Sequence, residues 1–441
     1  MVSFEELASI KVDGGTARVY EHGWQSWSPS GSYPADVASS YRPVRPVSQN
    51  QSYRPGRPAP DSGFQGEGLL AVDPGTGDPV TVFGASPGTT VPSVRAALVD
   101  GHLVVSADGP VSAAPATTIE EGLAAWADGY AAALGVGTIR PAPTGWCSWY
   151  HYFTDVTAAD IEENVAAIHA RDLPVDVIQI DDGWESEIGD WLTLSGRFSS
   201  LEALTERIAG TGRRTGIWVA PFLVGAKSRV FAEHPDWLIQ GVRAGNNWNQ
   251  DTYGLDATHP GARDYLRRTF TMLRQAGIDY FKIDFIYAGA LDGPRYSGAD
   301  PITAYRSGVQ LIRETIGPDA YLLGCGAPIL PSVGLFDAMR VSADVAPHWA
   351  PLDGDPAQPS QQGAAFSTVG RAFQHGRFWV NDPDCIVARP AIERREEWAE
   401  VVDRYGGLRI SSDRIADLDD WGMATTRRLL EETPPPTPFV P

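Results

Sequence analysis

The chain has 441 residues, 43% of them hydrophobic and 20% charged, ordinary globular proportions that exclude disordered, collagen-like and coiled-coil classes. Its 35 Lys and Arg stand against 55 Asp and Glu, a net charge of −20, and that field repels phosphate backbones and anionic lipid surfaces, so nucleic acid is not expected as a partner. The length allows roughly three domains or one large barrel with additions.

Cys147, Cys325 and Cys385 are far apart and form no CxxC, which suggests neither a disulfide framework nor a zinc site and suits a reducing interior. The opening MVSFEEL is acidic where a secretory signal is basic and then apolar. No window reaches the roughly 18 to 20 apolar residues of a membrane span. A soluble, cytoplasmic protein without a membrane partner is expected; the oligomeric state is left open.

Residues 1–117 are rich in Gly, Pro, Ser and Thr, with short alternating or β-branched stretches such as 16–20 (TARVY) and 102–106 (HLVVS) between turns, which predicts a small N-terminal β domain, a reduced sandwich. Residues 118–143 read as a linker, with a helix that begins at an N-cap Thr118 with Glu close behind. From Thr144 the pattern changes to short apolar runs alternating with helical periodicity, as in a parallel sheet with helices outside. Eight strands are predicted: Gly145–Tyr150, Val175–Asp181, Thr215–Pro221, Tyr280–Asp284, Tyr321–Gly326, Ala338–Ala343, Phe378–Asp382 and Leu408–Ser412. Helices are predicted at Ala158–Ala170, Leu201–Thr211, Pro260–Gln275, Ile302–Ile316, Glu393–Arg404 and Ala424–Glu432. The stretch 144–433 is close to the roughly 250 residues of a (β/α)8 barrel with some insertion, and 434–441 is a Pro-rich tail. The fold class is therefore α/β, a TIM barrel behind a small β domain. An open doubly wound sheet is disfavoured for want of a Gly-rich phosphate turn.

In such a barrel the chemistry gathers where the strands end. Lys282 and Asp284 are two apart and face the same way in a strand; the ammonium would keep the carboxylate ionised, as a nucleophile requires, or the two form a buried ion pair that only fixes packing. Arg340 and Asp344 share parity if their strand persists, so the guanidinium could steady an acid or form an ordinary loop ion pair. Asp181 and Asp182 could accept hydrogen bonds from sugar hydroxyls, hold a divalent cation, or cap the next turn. The 14 Trp include Trp146, Trp149, Trp184, Trp191, Trp218, Trp248 and Trp349 near the expected mouth. Aromatic faces pack on the C–H faces of sugars, although about half of these should be core; Trp149 is a candidate sugar-binding residue. The eight His lack HExxH or HxH spacing, GxSxG is absent, and no metal or cofactor is called for. Cys325 lies between two glycines at the end of strand five, where it could touch a ligand or pack as a small residue.

Taken together, WCSWYHYF (146–153), IQIDDGW (178–184), GIWVAPF (216–222), EHPDW (233–237), NWN (247–249), YFKIDFIYAGA (280–290), LLGCGAP (322–328), MRVSADVAPHW (339–349) and RFWVNDPDC (377–385) resemble the α-galactosidases (melibiases) of glycoside hydrolase family 36, clan D, of the short bacterial type. The resemblance covers about two thirds of the chain. It implies that Asp284, of the KxD motif, is the nucleophile and that Asp344, of RxxxD, is the acid/base. It also implies that Asp181, Asp182, Lys282, Cys325, Arg340 and Trp218 line the sugar subsite, and that Trp24 or Trp27 of GWQSW reaches the mouth from the N-terminal domain. The C-terminal β-sandwich usual in the family is not represented. The expected activity is retaining, exo-acting hydrolysis of terminal α-D-galactosides of oligosaccharides, without a cofactor. The alternatives are the same mechanism on an α-N-acetylgalactosaminide, transglycosylation, and a non-catalytic sugar-binding barrel.

Overall fold

The computed structural model describes residues 3–37, 43–45 and 47–439; Met1, Val2 and residues 440–441, at the outer ends of the expected first domain and tail, lie outside the described residues, as do 38–42 and 46. Two antiparallel sheets come first. One has the order Glu5–Lys11, His102–Ala107, Ser93–Val99, Phe64–Glu67; the other runs Gly31–Pro34, Arg18–Glu21, Leu69–Asp73, Val80–Gly84, Ser112–Ala116. In His102–Ala107 every second residue is buried, and Leu103, Val105 and Ala107 meet Val19, Leu70, Val72 and Phe83 of the other sheet in one apolar core. The second sheet is covered on its outer face too: Tyr20, Leu69, Ala71 and Val82 pack against Ile119 and Leu123 of the helix Ile119–Leu134. The Thr118 hydroxyl caps that helix, accepting from Glu121 N at 3.1 Å.

The barrel strands are Gly145–Cys147, Val177–Ile180, Arg214–Val219, Ile278–Ile283, Tyr321–Gly324, Ala338–Arg340, Val380–Asp382 and Ile410–Ser411, each parallel to the next, with the eighth beside the first. The seventh and eighth close the ring just past the ladder, where Ile386 N donates to Ile410 O at 2.7 Å and Ser412 N to Ile386 O at 3.0 Å. Both faces of these strands are buried, so they read as continuous apolar runs. The helices Ala158–Ala170 and Pro260–Gln275 have the bounds that periodicity predicts.

Two features differ from the sequence expectation. Seven of the eight strands are shorter than predicted, and strand four, Ile278–Ile283, starts two residues earlier and ends before Asp284. Strand six ends at Arg340, so parity along a strand is not what places Asp344 near it; the loop is turned back by Val341 N to Asp382 O (3.0 Å) and the Ser342 hydroxyl to Pro383 O (2.7 Å). A three-stranded antiparallel sheet, Leu223–Gly225, Leu238–Asn247 and Gln250–Leu255, is inserted after strand three. Its hairpin turns at Trp248 and Asn249, with φ of 50° and 54°, the pair of positive values a two-residue type I′ turn requires.

The β sandwich is locked onto the barrel mouth by one residue. Buried Arg371 donates to Ser26 O (2.7 Å), Gln25 O (2.8 Å), Ser28 O (3.0 Å) and Gly23 O (3.3 Å) in the loop after the second strand, and to Val341 O (2.7 Å) at the end of strand six. Ser26 N and hydroxyl also bond Ala327 O and N, each at 3.0 Å. Arg371→Met removes five donated hydrogen bonds, leaving Gln25 O only its bond from Ser28 N, and is expected to lower stability by about 3 kcal/mol or more, measured as a drop in the denaturation midpoint accompanied by a change in tryptophan fluorescence as the 23–28 loop loosens.

Candidate active site

The floor of the mouth is built around Asp181, the first residue past strand two. Its Oδ2 accepts from Gln179 Nε2 (2.6 Å), Lys282 Nζ (3.0 Å) and Cys147 Sγ (3.3 Å), and its Oδ1 from Asp182 N (3.0 Å). Lys282 is thus held chiefly by Asp181, and its Nζ lies 3.9 Å from Asp284 Oδ2. Burial works against the ammonium, but Asp181 and then Asp284 outweigh it and keep Lys282 protonated well above its usual range. Asp284 follows strand four, with its side chain 8% exposed. Its Oδ2 accepts from Trp218 Nε1 at 3.0 Å and its Oδ1 from Phe285 N at 2.7 Å. Both hydrogen bonds aim the carboxylate into the mouth.

Asp344 has a different setting. Its side chain is 31% exposed, and its Oδ1 accepts from Arg340 at 2.9 Å. Arg340 is shared: it also donates to Asp384 Oδ1 (2.6 Å) and Asp382 Oδ2 (3.3 Å). The other Asp384 oxygen accepts from the Tyr150 hydroxyl and from Val345 N, the latter at 2.7 Å. Burial raises the Asp344 pKa, Arg340 opposes the rise, and the nearby Asp284 charge adds to it; the net direction is upward. One cation divided among three carboxylates cannot hold Asp344 as firmly ionised as a dedicated partner would.

Asp284 and Asp344 line one cavity of about 600 Å³, together with Asp181, Asp182, Lys282, Trp149 and Trp218. Cys325 and Arg340 lie beneath this surface, and burial pushes the Cys325 thiol well up, so it acts as a packed neutral group. Trp24 is not in the cavity. Its ring lies under the Arg54 guanidinium (4.7 Å) beside a separate cavity of about 340 Å³, and Trp27 is the residue of GWQSW that lines the mouth. The Arg371 clamp and the bond from Ile329 N to Trp24 O (2.9 Å) turn the loop so that Trp27 packs on Phe285, ring centroids 4.9 Å apart. Of the other tryptophans, Trp146, Trp184 and Trp191 are core, Trp184 Nε1 bracing Trp218 O at 2.9 Å. Trp349 lies outside the cavity under Arg394.

Trp248, expected near the mouth, lines the cavity from the inserted hairpin and donates to Asp182 Oδ2 at 2.8 Å. Several other groups escaped the strand-end reading. Arg45, Gln51 and Ser52 reach the cavity from the N-terminal segment and Gln358 from the loop after Asp344, contacts no local pattern reveals. Glu185 is the most consequential. It is buried and hydrogen-bonded to Asp182; burial pushes Asp182 up to about 6 and, with the Asp182 charge, Glu185 well above its usual range, so the pair keeps a shared proton to higher pH than either carboxyl would alone. Gly183 between them has φ 118°, and a Cβ there would lie 2.6 Å from Thr154 O, so only glycine lets this turn pass the loop after strand one.

The melibiase family profile matches residues 140–293, the first four strands through Asp284. An α-galactosidase from Thermus thermophilus, solved with p-nitrophenyl α-D-galactopyranoside, is similar over 97% of this chain and 92% of its own, at 29% identity and a TM-score of 0.81; the same enzyme has been solved with stachyose. The barrel is similar to those of α-galactosidases. The bifunctional α-galactosidase/sucrose kinase AgaSK of Mediterraneibacter gnavus is 31% identical over 163 residues, 33% of this chain but only 17% of that protein. The family 36 α-galactosidase AgaA of Geobacillus stearothermophilus, at 15% identity and a TM-score of 0.59 over 96% of this chain and 61% of its own, shares the fold.

The Asp182–Glu185 pair makes a pH prediction. A carboxyl whose pKa is raised by folding binds more protons folded than unfolded, so its contribution to stability is full at low pH and is lost as pH rises. The wild-type melting temperature is expected to fall from about pH 5 to about pH 8, and Glu185→Gln, which keeps the donor but cannot titrate, to flatten that fall; superimposable melting curves across pH for the two proteins would contradict the assignment.

Proposed function

We propose that the protein is a retaining, exo-acting α-galactosidase that hydrolyses terminal α-D-galactosides of oligosaccharides, with 144–433 as the catalytic barrel, 1–117 as an N-terminal β domain, 118–143 as the connecting helix and 434–441 as a tail. The observation that carries this reading is the convergence of Asp284 and Asp344, from strands four and six, on one cavity but in unlike settings. Asp284 is buried and accepts two hydrogen bonds; Asp344 is partly open, with its pKa raised. The stachyose and p-nitrophenyl galactoside complexes of the Thermus enzyme support the substrate class. Three buried free thiols support a cytoplasmic setting.

In the first step an Asp284 oxygen attacks the anomeric carbon, the glycosidic C–O bond breaks, and the departing oxygen takes the proton of Asp344. In the second, Asp344 removes a proton from water, whose oxygen displaces Asp284 from the same carbon, so configuration is retained. Lys282 and Trp218 orient the nucleophile, while Asp181 and Asp182 are acceptors for galactose hydroxyls. No step calls for a metal or cofactor.

On a panel of p-nitrophenyl α-glycosides the α-galactoside should be turned over fastest, with α-galactose as the first-formed anomer by NMR. Asp284→Ala should lose about 10,000-fold or more in kcat; equal activity in the two proteins excludes this nucleophile. The acid must be protonated to act, so kcat/KM should fall as pH rises through the raised pKa of Asp344, and Asp344→Asn should abolish that alkaline limb while retaining slow turnover of p-nitrophenyl galactoside, whose good leaving group depends less on protonation.

A further inference from the structure

The lining residues of the cavity sort by depth. Asp181, Asp182, Lys282 and Asp284 are buried at the bottom, Asp344 is partly open, and Phe153 at the rim is 46% exposed. A terminal galactose takes the bottom, so the group it leaves behind must extend past Asp344 toward the opening. Tyr150 ties Phe153's segment to that side: its hydroxyl bonds Asp384, which with Asp344 shares Arg340.

Phe153 is an odd residue for its position. It has φ 48° and ψ −143°, a conformation glycine adopts freely and a bulky residue does not. It is 46% exposed, so burial offsets the strain only in part. The turn is nonetheless fixed: Arg197 donates to Thr154 O at 2.6 Å and to Gly183 O at 3.0 Å, joining it to the DDG turn, and the helix Ala158–Ala170 begins immediately afterward with a capping box at Thr157. Trp149, which also lines the cavity, meets the Phe153 ring edge to face at 5.2 Å and 77°. Strain retained at an exposed, rigidly held aromatic on the rim of a polar cavity points to a ligand contact.

We propose that Phe153, braced by Trp149, is the platform on which the leaving-group sugar stacks, and that it sets the preference for sugar aglycones over small leaving groups. This rests on the α-galactosidase reading. The ring offers its face to the C–H face of the aglycone sugar while Asp344 protonates the oxygen between the two sugars.

The test compares melibiose and raffinose with α-D-galactosyl fluoride, whose leaving group has no ring to stack. In Phe153→Ala, kcat/KM for the two oligosaccharides should fall about ten-fold further than for the fluoride, chiefly through KM. Phe153→Trp should recover most of that difference. Phe153→Gly should show the same selective loss with a melting temperature no lower than that of Phe153→Ala, since glycine accepts the backbone conformation. Equal losses on fluoride and oligosaccharides, or a Phe153→Trp variant no better than Phe153→Ala, would overturn the proposal while leaving the α-galactosidase reading standing. Wild-type protein inert toward both the fluoride and melibiose would remove that reading, and this one with it.

Discussion

Two buried cations organise the mouth of this barrel. Lys282 stands between Asp181 and Asp284, and Arg340 among Asp344, Asp382 and Asp384. Carboxylates in so small and dry a space repel one another strongly, and bringing any of them out of water carries a large desolvation cost. The arrangement persists because the Asp181 and Asp284 oxygens each find a cation, an indole N–H, an amide or a backbone N–H. Losing either cation would leave several charges unpaired at once, so the site is a cooperative unit rather than a set of independent side chains.

The same arrangement separates the two central aspartates chemically. Asp284 takes its hydrogen bonds from Trp218 and from the backbone of Phe285, neither of which can lend it a proton in return. Asp344 leans on a guanidinium already committed elsewhere, and the Asp284 charge adds to the effect of burial in raising its pKa. Two identical side chains thereby stand in unlike settings, as the proposed division into nucleophile and acid requires. Asp182 and Glu185 repeat the theme next door, with one proton between two carboxyls.

The shape of the mouth comes from outside the barrel. Arg371 gathers the backbone carbonyls of the 23–28 loop and sets Trp27 over Phe285; the hairpin after strand three places Trp248 on Asp182; Arg45, Val47, Gln51, Ser52 and residues 357–359 supply further rim. Some of these pieces lie hundreds of residues apart: the 23–28 loop is brought to the mouth by the docked β sandwich, while the hairpin and residues 357–359 are insertions of the barrel itself. Function here belongs to the junction of the two units as much as to the strand ends.

The eight strands, the outer helices and the residues that follow strands two, four and six were all legible in the chain, because a parallel barrel buries both faces of each strand and therefore writes itself as apolar runs broken by polar residues at the catalytic end. Asp181, Asp182, Lys282, Asp284 and Asp344 could be named on that basis, and the motifs around them pointed to family 36. What only the tertiary structure decided were the partnerships: that Lys282 is bonded to Asp181 and only approaches Asp284, that Trp27 faces the cavity while Trp24 packs beside Arg54, that Glu185 is buried against Asp182, and that Phe153 stands strained at the rim. Hydrogen-bond geometry and shared charge depend on distances between segments remote in sequence, and periodicity along one strand carries no information about what lies across the barrel.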